Sequence, residues 1–373
     1  MPPVVIDLQS ADDERDVVHR AVQTLVEGGL VALPTETVYG LAASALDEEA
    51  VARLIAAKGR DEGKPLALAI KSADEARDYV PDICPLARRL ARRCWPGPIT
   101  LVLDNSHPDS LVRRLPPKVR QVVAPQQSVG LRVPGHRVVL EVLRMLAGPL
   151  VLTSANQAGR RESVTAAEVL DSVGSKLGLV VDDGRCRFAQ PSSVVRVANR
   201  QFEVLRAGVV PEKTLRRLSS LMLLFVCTGN TCRSPMAEMI CRRLLADRMK
   251  CGMDHLEEHG VLVSSAGTSA ILGGRAAAEA VQCMDDFGIE LGDHETQPLT
   301  EPLVRHSDVI YVMARSHRQA ILSQWPSAAD RTVLLSPDGM DIADPIGGSL
   351  ECYRQCAEQI EAALAARINQ LEI

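Results

Sequence analysis

Short, wholly apolar segments alternate along this chain with longer segments whose apolar residues recur every three or four positions. In the first half the apolar runs lie at residues 30–33, 67–70, 101–103, 130–133 and 150–152. The helical period appears at residues 17–26 and 47–57. Apolar runs of this length are typical of strands buried in a sheet, and the second pattern is typical of helices that cover one. The first half is therefore predicted to be an α/β domain.

The second half repeats the alternation in a regular order of strand and helix. Its apolar runs lie at residues 222–226, 261–265, 308–313 and 332–335, and its helical segments at 235–250, 276–287 and 350–368. This order favours a parallel sheet that is covered on both faces. Residues 213–221 contain no cluster of turn residues, so a helix is expected to end there just before the next strand. We predict two domains, residues 1–212 and 222–373, joined by the short linker 213–221.

Composition excludes several classes of protein. The chain has 373 residues, 46% of them hydrophobic and 24% charged, which indicates two or three globular domains. A net charge of −5 and an aromatic content of 3% argue against a general nucleic-acid binder or a binder of anionic membranes. No segment reaches the roughly 18 apolar residues of a membrane span, and the N-terminus lacks signal-peptide features. Ten cysteines without CxxC pairs indicate a reducing cytoplasm and no disulfide framework.

The clearest chemistry lies between the first strand and the first helix of the second half. Cys227 follows the apolar run, and Arg233 and Ser234 complete a Cys-x5-Arg-Ser segment, with Ser234 and Pro235 suited to begin a helix. The backbone N–H groups of such a loop and the positive end of its helix form a cradle for a dianionic phosphate. A cysteine in that field ionises readily, and the arginine fork can hold two phosphoryl oxygens. The segment therefore predicts a phosphatase loop rather than an ordinary turn.

The first half places polar groups at the ends of its predicted strands. Thr35, Glu36 and Thr37 follow the first strand, and three cations within residues 58–64 precede the second. Hydroxyl, amide or guanidinium groups flank three further strands, at residues 95–100, 128–134 and 152–156. A charge cluster alone usually lies on a solvated loop. Cations and hydroxyls that converge from separate strands instead suit a ligand with a polyphosphate and a carboxylate.

In their order along the chain these motifs resemble the threonylcarbamoyl-AMP synthase family. The matching runs are PTETVYGL, KGR with KPL, WPGPIT, LRVPGH, TSAN and the pair Leu205-Arg206, spread over about residues 17–210. The resemblance implies a twisted α/β fold with a mixed sheet around a large basic cavity. It also implies a reaction that joins L-threonine, bicarbonate and ATP into threonylcarbamoyl-AMP and releases pyrophosphate. ATP is then a substrate that brings Mg²⁺, no cofactor is tightly bound, and the product passes to a separate tRNA-modifying transferase complex.

The same resemblance assigns binding residues. The expected ATP contacts are Lys58, Arg60, Ser128, Ser154, Asn156 and Arg206. The expected threonine contacts are Thr35, Arg132 and Ser193. An arginine suits the carboxylate of threonine, and lysine and hydroxyl groups suit a triphosphate. No nucleophile is needed, because positioning and charge neutralisation can promote both steps. The segment Pro191-Ser192-Ser193 and Ala69 depart from the family pattern at positions that bear on threonine.

Residues 222–373 resemble the low-molecular-weight protein tyrosine phosphatase family, with Cys-x5-Arg-Ser first and Asp344-Pro345 near the end. The resemblance implies that Cys227 attacks phosphorus and that Arg233 holds the phosphoryl oxygens. Asp344 is expected to protonate the leaving group and then to activate water, without a metal. Ser234 is expected to donate a hydrogen bond to the thiolate. The residues expected to brace the loop are Asn230, Ser265 and His294.

Two positions distinguish this chain from tyrosine-specific members of that family. Thr231 stands where those usually carry a branched apolar residue, and Ile346-Gly347-Gly348 follows Asp344-Pro345 where those carry aromatic residues. The pattern resembles the protein arginine phosphatase branch. Phosphoarginine in a phosphoprotein is therefore the predicted substrate, and phosphotyrosine is the alternative. Arsenate reductases share the loop but need a closely spaced pair of further cysteines, and Cys283 stands alone in its region.

Two questions stay open at this level. Cys232 either forms a reversible disulfide with Cys227 or only fills space beneath the loop. The chain as a whole is predicted to be a bifunctional enzyme, a nucleotidyltransferase joined to a protein phosphatase. The alternative is a first half that only binds RNA or a nucleotide and a second half that only binds phosphoproteins. The acidic net charge counts against the first of these, and the intact Cys227, Arg233 and Asp344 count against the second.

Overall fold

Two sheets organise this chain, one in each of the units Met1–Leu215 and Arg216–Ile373 into which it divides. The structure is a computed structural model and describes residues 2–59, 63–198 and 201–371. Within these ranges no helix is long and apolar enough to cross a membrane. The division between the units falls inside the helix Glu212–Ser219. The domain boundaries given above, 1–212 and 222–373, stay a prediction.

The described part of the first unit contains a ten-stranded sheet. Its strands are β1 (Val4–Asp7), β2 (Val31–Leu33), β3 (Gly40–Ser44), β4 (Ala67–Ala69), β5 (Ile99–Asp104), β6 (Ser128–Arg132), β7 (Leu150–Ser154), β8 (Leu179–Asp182), β9 (Ser193–Ala198) and β10 (Gln201–Arg206). Its helices are α1 (Glu14–Val26), α2 (Glu48–Lys58), α3 (Ala76–Tyr79), α4 (Pro85–Cys94), α5 (Pro117–Val123), α6 (Arg137–Met145) and α7 (Ala166–Val173), and α8 (Glu212–Ser219) crosses the division.

The sheet has the order β1-β8-β2-β3-β7-β4-β6-β5-β9-β10, and parallel and antiparallel pairs are interspersed. A short connection reverses the chain between β2 and β3, which therefore pair antiparallel, whereas longer connections through helices bring β4 and β6 together in parallel. The predicted mixed sheet is confirmed. On one face α1 and α6 pack together over β2 and β8, and Val17, Ala21 and Leu25 recur on the buried side of α1.

Five strands of this sheet were not predicted. The apolar run of β1, Val-Val-Ile, has only three residues and is mostly exposed, and β3 consists largely of small residues with little preference for strands. β9 and β10 instead alternate apolar and polar residues, as strands with one solvated face do. The apolar sequence of β8, Leu-Val-Val, is too short to predict a strand by itself. In the structure β8 is held as a strand by its pairing with β1 on one side and β2 on the other.

The second unit is built as predicted, on a parallel sheet covered by helices. Its described strands are β11 (Leu221–Cys227), β12 (Val261–Gly267), β13 (Val309–Val312) and β14 (Thr332–Leu334), in the order β12-β11-β13-β14. Its helices are α9 (Arg233–Met249), α10 (Ala278–Asp286), α11 (Glu301–His306), α12 (Arg315–Gln324) and α13 (Leu350–Ile368). A single residue, Ser220, separates α8 from β11.

Successive side chains of β11 point to opposite faces of the sheet, and because both faces are buried the strand is apolar throughout. Leu223 and Phe225 face a cluster shared with α9, α10 and α13, whereas Leu224 and Val226 face the opposite cluster. Both sets are almost fully buried, which requires apolar residues at every position. Cys227 ends this strand, so the carboxyl end of the sheet presents it to the loop that follows.

Candidate active sites

The loop between β11 and α9 holds Cys227 and Arg233 close to its two ends. Cys227 is the last residue of the strand and Arg233 the first of the helix, and both are buried. The buried Asn230 makes the turn with a φ of 58°, a left-handed conformation that asparagine tolerates. Gly267, at the end of β12, is required for the close packing of this loop. A Cβ there would lie 2.5 Å from the carbonyl oxygen of Thr228 and 2.9 Å from the backbone nitrogen of Asn230.

Two polar groups contact the sulfur of Cys227. The Ser234 Oγ lies 3.0 Å from Cys227 Sγ, and the Asn230 backbone N–H donates to it across 3.3 Å. This arrangement is the contact expected for Ser234.

The residues expected to brace the loop lie together around Asn230. Its Nδ2 donates to Ser234 Oγ at 3.0 Å and to Ser265 Oγ at 2.9 Å, and its Oδ1 accepts from the Gln297 N–H at 2.9 Å. The Nε2 of His294 lies 2.9 Å from the Asn230 carbonyl oxygen. The polar groups of a buried asparagine are thus all bonded, which fixes the loop before a substrate arrives.

Sequence analysis missed the partly buried carboxyl group of Glu238 beneath this network. The Ser265 hydroxyl donates to Glu238 Oε2 at 2.7 Å. Burial raises the pKa of Glu238, and its hydrogen bond with Ser265 opposes the shift. Glu238 follows Ser234 by four positions in α9, so helical spacing places it on the same face, and this spacing could have identified it.

Arg233 and Asp344, the predicted phosphate clamp and general acid, form an ion pair with each other. The Arg233 side chain is 8% exposed and the Asp344 side chain 45% exposed, so the carboxylate lies on the open side of the guanidinium. Arg233 Nη1 also donates to the carbonyl oxygen of Ile342 at 3.3 Å. A phosphoryl group that reaches the loop would replace Asp344 on Arg233.

Thr231, predicted to bear on substrate choice, and Cys232, the predicted redox or space-filling residue, are neighbours in the loop. Thr231 Oγ1 lies 3.5 Å from Cys232 Sγ, which lies 3.5 Å from the Tyr353 hydroxyl. Cys227 and Cys232 are both free thiols. Ile346, directly after Asp344-Pro345, is 69% exposed.

In the first unit residues of several strands of the mixed sheet line a cavity of about 550 Å³. Five residues predicted to bind substrates line it: Thr35, Ser128, Arg132, Ser154 and Arg206. Lys58, Asn156 and Ser193 are not among its lining residues, and Arg60 lies outside the described residues.

Lys58, predicted to contact ATP, is buried and already bonded to protein. Its Nζ donates to the carbonyl oxygen of Ser154 at 2.7 Å, to Ser154 Oγ at 2.9 Å and to Asn156 Oδ1 at 2.7 Å. Asn156 Nδ2 in turn donates to the carbonyl oxygens of Gln157 and Arg160. Lys58 and Asn156 therefore fix the segment that carries Ser154 into the cavity.

Arg132, predicted to bind the carboxylate of threonine, has a carboxylate partner within the protein. Its Nη2 lies 2.8 Å from Glu36 Oε1 and 2.9 Å from Thr37 Oγ1, and its Nε donates to the Gly97 carbonyl oxygen at 3.3 Å. Thr35 Oγ1 lies 2.8 Å from Thr37 Oγ1. The predicted threonine contacts Thr35 and Arg132 thus share Thr37 as a neighbour.

Ser192 and Ser193 point in different directions. Ser193 is fully buried, and its hydroxyl donates to the carbonyl oxygen of Val210 at 2.9 Å. Ser192 lines the cavity, lies 3.2 Å from the hydroxyl of Thr100 and accepts hydrogen bonds from Arg206. Arg196 lines the same cavity, and its side chain makes no hydrogen bond or ion pair with any described residue. The period of two along β9 could have identified both Ser192 and Arg196.

The described part of the chain holds no group of three or more histidine, cysteine or acidic residues placed to bind an ion.

Comparison with known proteins gives separate matches for the two halves. A family model described as telomere recombination matches residues 23–208, and one described as low molecular weight phosphotyrosine protein phosphatase matches residues 222–372. Threonylcarbamoyl-AMP synthase of Pyrococcus abyssi is 35% identical over 192 residues, 52% of this chain and 54% of the relative. The chain thus spans about half the length of that relative.

Protein-arginine-phosphatase of Bacillus subtilis is 36% identical over 154 residues, 40% of this chain and 96% of the relative. The solved structure of P. abyssi Sua5 covers 89% of this chain and 98% of its own at a TM-score of 0.52 and 22% identity, a likeness of fold alone.

Proposed function

This chain belongs to the threonylcarbamoyl-AMP synthase family through residues 23–208 and to the low-molecular-weight phosphatase family through residues 222–372, and from these two enzyme families we propose one bifunctional enzyme. Its first domain makes threonylcarbamoyl-AMP from L-threonine, bicarbonate and ATP. Its second domain hydrolyses phosphoarginine in proteins. The observation that carries the phosphatase activity is the bonded cradle around Cys227. For the synthase it is the polar cavity that contains Arg132 and Arg206.

In the proposed phosphatase reaction, the thiolate of Cys227 attacks phosphorus while the bond from phosphorus to the leaving nitrogen breaks. Asp344 gives its proton to that nitrogen, and a cysteinyl phosphate remains. Water then attacks phosphorus, Asp344 accepts a proton from the water, and the sulfur–phosphorus bond breaks to regenerate the thiolate and release inorganic phosphate. Arg233 stabilises the phosphoryl oxygens in both steps.

The ion pair between Arg233 and Asp344 suits this sequence. A phosphoryl dianion on Arg233 displaces the carboxylate and adds negative charge beside it. Substrate binding thereby frees Asp344 from Arg233, so that its carboxyl group can reach the leaving nitrogen.

The preference for phosphoarginine is supported by polar groups at the entrance of the loop. A guanidinium leaving group needs hydrogen-bond acceptors, and Thr231 and Asp344 offer them. The exposed Ile346 supplies no aromatic ring to stack on phosphotyrosine. The B. subtilis relative carries the name protein-arginine-phosphatase. Phosphotyrosine is the second candidate, because the matching family model is described by that substrate.

In the proposed synthase reaction, threonine is carboxylated on its nitrogen by bicarbonate with loss of water. An oxygen of the carbamate attacks the α-phosphorus of ATP, and pyrophosphate leaves with the bonding electrons. Arg132 holds the carboxylate of threonine and exchanges Glu36 for it. Arg206, with Ser128 and Ser154, contacts ATP, which enters as its Mg²⁺ complex. The product is passed to a separate tRNA-modifying complex.

Both activities are tested on one preparation of the full chain. Mass spectrometry should detect threonylcarbamoyl-AMP only when threonine, bicarbonate and ATP are all present. Release of phosphate from a phosphoarginine peptide should occur in the same sample. A chain that binds ATP but yields no product with all three substrates would indicate a binding module and contradict the synthase assignment.

A further inference from the structure

His317, in the first turn of α12, contacts the phosphatase loop although sequence analysis did not single it out. The side chain is 5% exposed, and its Nε2 lies 2.9 Å from the hydroxyl oxygen of Thr228. Thr228 directly follows Cys227 and is itself exposed at the entrance of the loop. A buried imidazole therefore holds a side chain next to the proposed nucleophile.

The environment of His317 favours the neutral form of its imidazole. Burial lowers the pKa of His317 to about 4, and the charge of Arg233 adds to this shift. Asp344 and Asp341 act in the opposite direction and do not outweigh it. A neutral imidazole has one N–H and one bare nitrogen, so its two nitrogens have different roles.

The unpartnered nitrogen decides which role each takes. His317 Nδ1 is buried without a hydrogen-bond partner among the described residues. A buried N–H without an acceptor is rarer in proteins than an unused acceptor. The proton therefore lies on Nε2, which donates to Thr228 Oγ1. The hydroxyl hydrogen of Thr228 then remains available to a third group at the loop entrance.

The main chain beside Thr228 is fixed from the other side. The Thr268 N–H donates to the carbonyl oxygen of Cys227, and the Ser269 N–H donates to that of Thr228, both at 2.9 Å. With His317 on its side chain, Thr228 has one orientation. Groups held in place before the substrate arrives stabilise it without reorganisation.

We propose that His317 is a positioning residue of the phosphatase site: it orients the Thr228 hydroxyl so that this hydroxyl donates a hydrogen bond to the phosphoryl group of the substrate. The inference rests on the proposed phosphatase function. The alternative is that His317 only fills space in the core. In that case the effects of substituting His317 and Thr228 on catalysis should be independent, whereas a positioning role makes them depend on each other.

The test is a double-mutant cycle in the full chain with His317→Phe, which keeps a ring but loses the donor, and Thr228→Val, which keeps the shape but loses the hydroxyl. Each single change should lower kcat/KM for a phosphopeptide by roughly five- to tenfold, the value of one hydrogen bond, and should weaken inhibition by inorganic phosphate equally. The double variant should be no worse than either single variant. His317→Gln, whose amide can also donate, should restore part of the activity.

Exposed His259 provides the matched control, and His259→Phe should leave both constants unchanged. If the effects of His317→Phe and Thr228→Val on kcat/KM multiply in the double variant, the inference is overturned. It is also overturned if Thr228→Val has the same kcat/KM and the same inhibition by phosphate as the wild type. If His317→Phe does not fold, Thr228→Val and His317→Gln decide the question by the same two constants. A wild-type chain that neither hydrolyses phosphopeptides nor binds phosphate overturns the proposed function and this inference together.

Discussion

Both proposed sites would bind phosphate groups, but the two regions build them differently: one site lies in a single loop and the other is assembled from several strands. In the second unit one short loop between β11 and α9 carries Cys227 and Arg233, and the backbone N–H of Asn230 in this loop donates to the Cys227 sulfur. In the first unit, side chains from at least five strands line an open cavity. The loop is braced by a network under it, whereas Arg132 in the cavity is paired with Glu36, which a bound carboxylate would have to displace. From this difference we expect a single substitution in the loop to abolish the phosphatase activity, and a single substitution in the cavity to lower the synthase activity only in part.

The largest expected effect comes from the local site. Cys227→Ser replaces a thiol that ionises with a hydroxyl that does not, so hydrolysis of an aryl phosphate should fall by at least about a thousandfold. Synthesis of threonylcarbamoyl-AMP by the same sample should be unchanged. Residual phosphatase activity in a contaminant-free preparation would remove Cys227 as the nucleophile.

The distributed site should respond in degrees, beginning with Arg132. Arg132→Ala removes a charge-assisted contact worth about 1.5–3 kcal/mol, so KM for threonine should rise by roughly ten- to a hundredfold. KM for ATP should change little. The control is Arg137→Ala, since the Arg137 side chain is 77% exposed in an ion pair with Glu14. Equal effects on both KM values would contradict a threonine-specific contact.

Selectivity of the local site should depend on one hydroxyl. Thr231→Ile removes the polar group that suits a guanidinium and adds an apolar wall that suits a ring. The ratio of kcat/KM for phosphoarginine over phosphotyrosine peptides should fall by more than about tenfold. A wild-type preference for phosphotyrosine would leave only the broader phosphatase family.

Lys58 and Arg196 are expected to differ in how they contribute to the first site. Lys58 holds Ser154 and Asn156 in place, whereas the Arg196 side chain lines the cavity itself. Lys58→Ala leaves buried acceptors on Ser154 and Asn156 unpaired, so it should weaken ATP use and also lower the unfolding temperature of the first unit. Arg196→Ala should raise KM for ATP by about fivefold without loss of stability. Calorimetry and ATP titrations on both variants would separate the roles, and equal stability losses would refute the distinction.

The smallest expected effect is a dependence of stability on pH. His317 has a pKa lowered from its ordinary 6.5 to about 4, so the unfolded chain binds more protons between these values, and stability should fall as pH falls through that window. Glu238, whose pKa burial raises, contributes with the opposite sign. The wild type should therefore lose more stability than His317→Phe between pH 6.5 and 4, as chemical denaturation can measure. An identical slope in both proteins would contradict a buried neutral histidine.

Sequence patterns anticipated the parallel sheet of the second unit because each of its central strands is buried on both faces. They missed β9 and β10, which alternate, and β3, whose small residues show no preference. The same contrast holds for the sites. Ser234 contacts Cys227 as expected, because seven residues in a strand–loop–helix turn leave few geometries open.

By itself, the sequence determined which residues of the phosphatase loop act together, since they are neighbours along the chain and the turn joins them. It also determined the two families and the α/β class. Only the tertiary structure decided that Lys58 donates its hydrogen bonds to Ser154 and Asn156. The same is true of the position of Ser192, rather than Ser193, in the cavity lining and of the ion pair between Arg132 and Glu36. These contacts join residues about a hundred positions apart or depend on which face of a strand a side chain takes. Strand register and burial set both, and neither is encoded in the spacing of a motif.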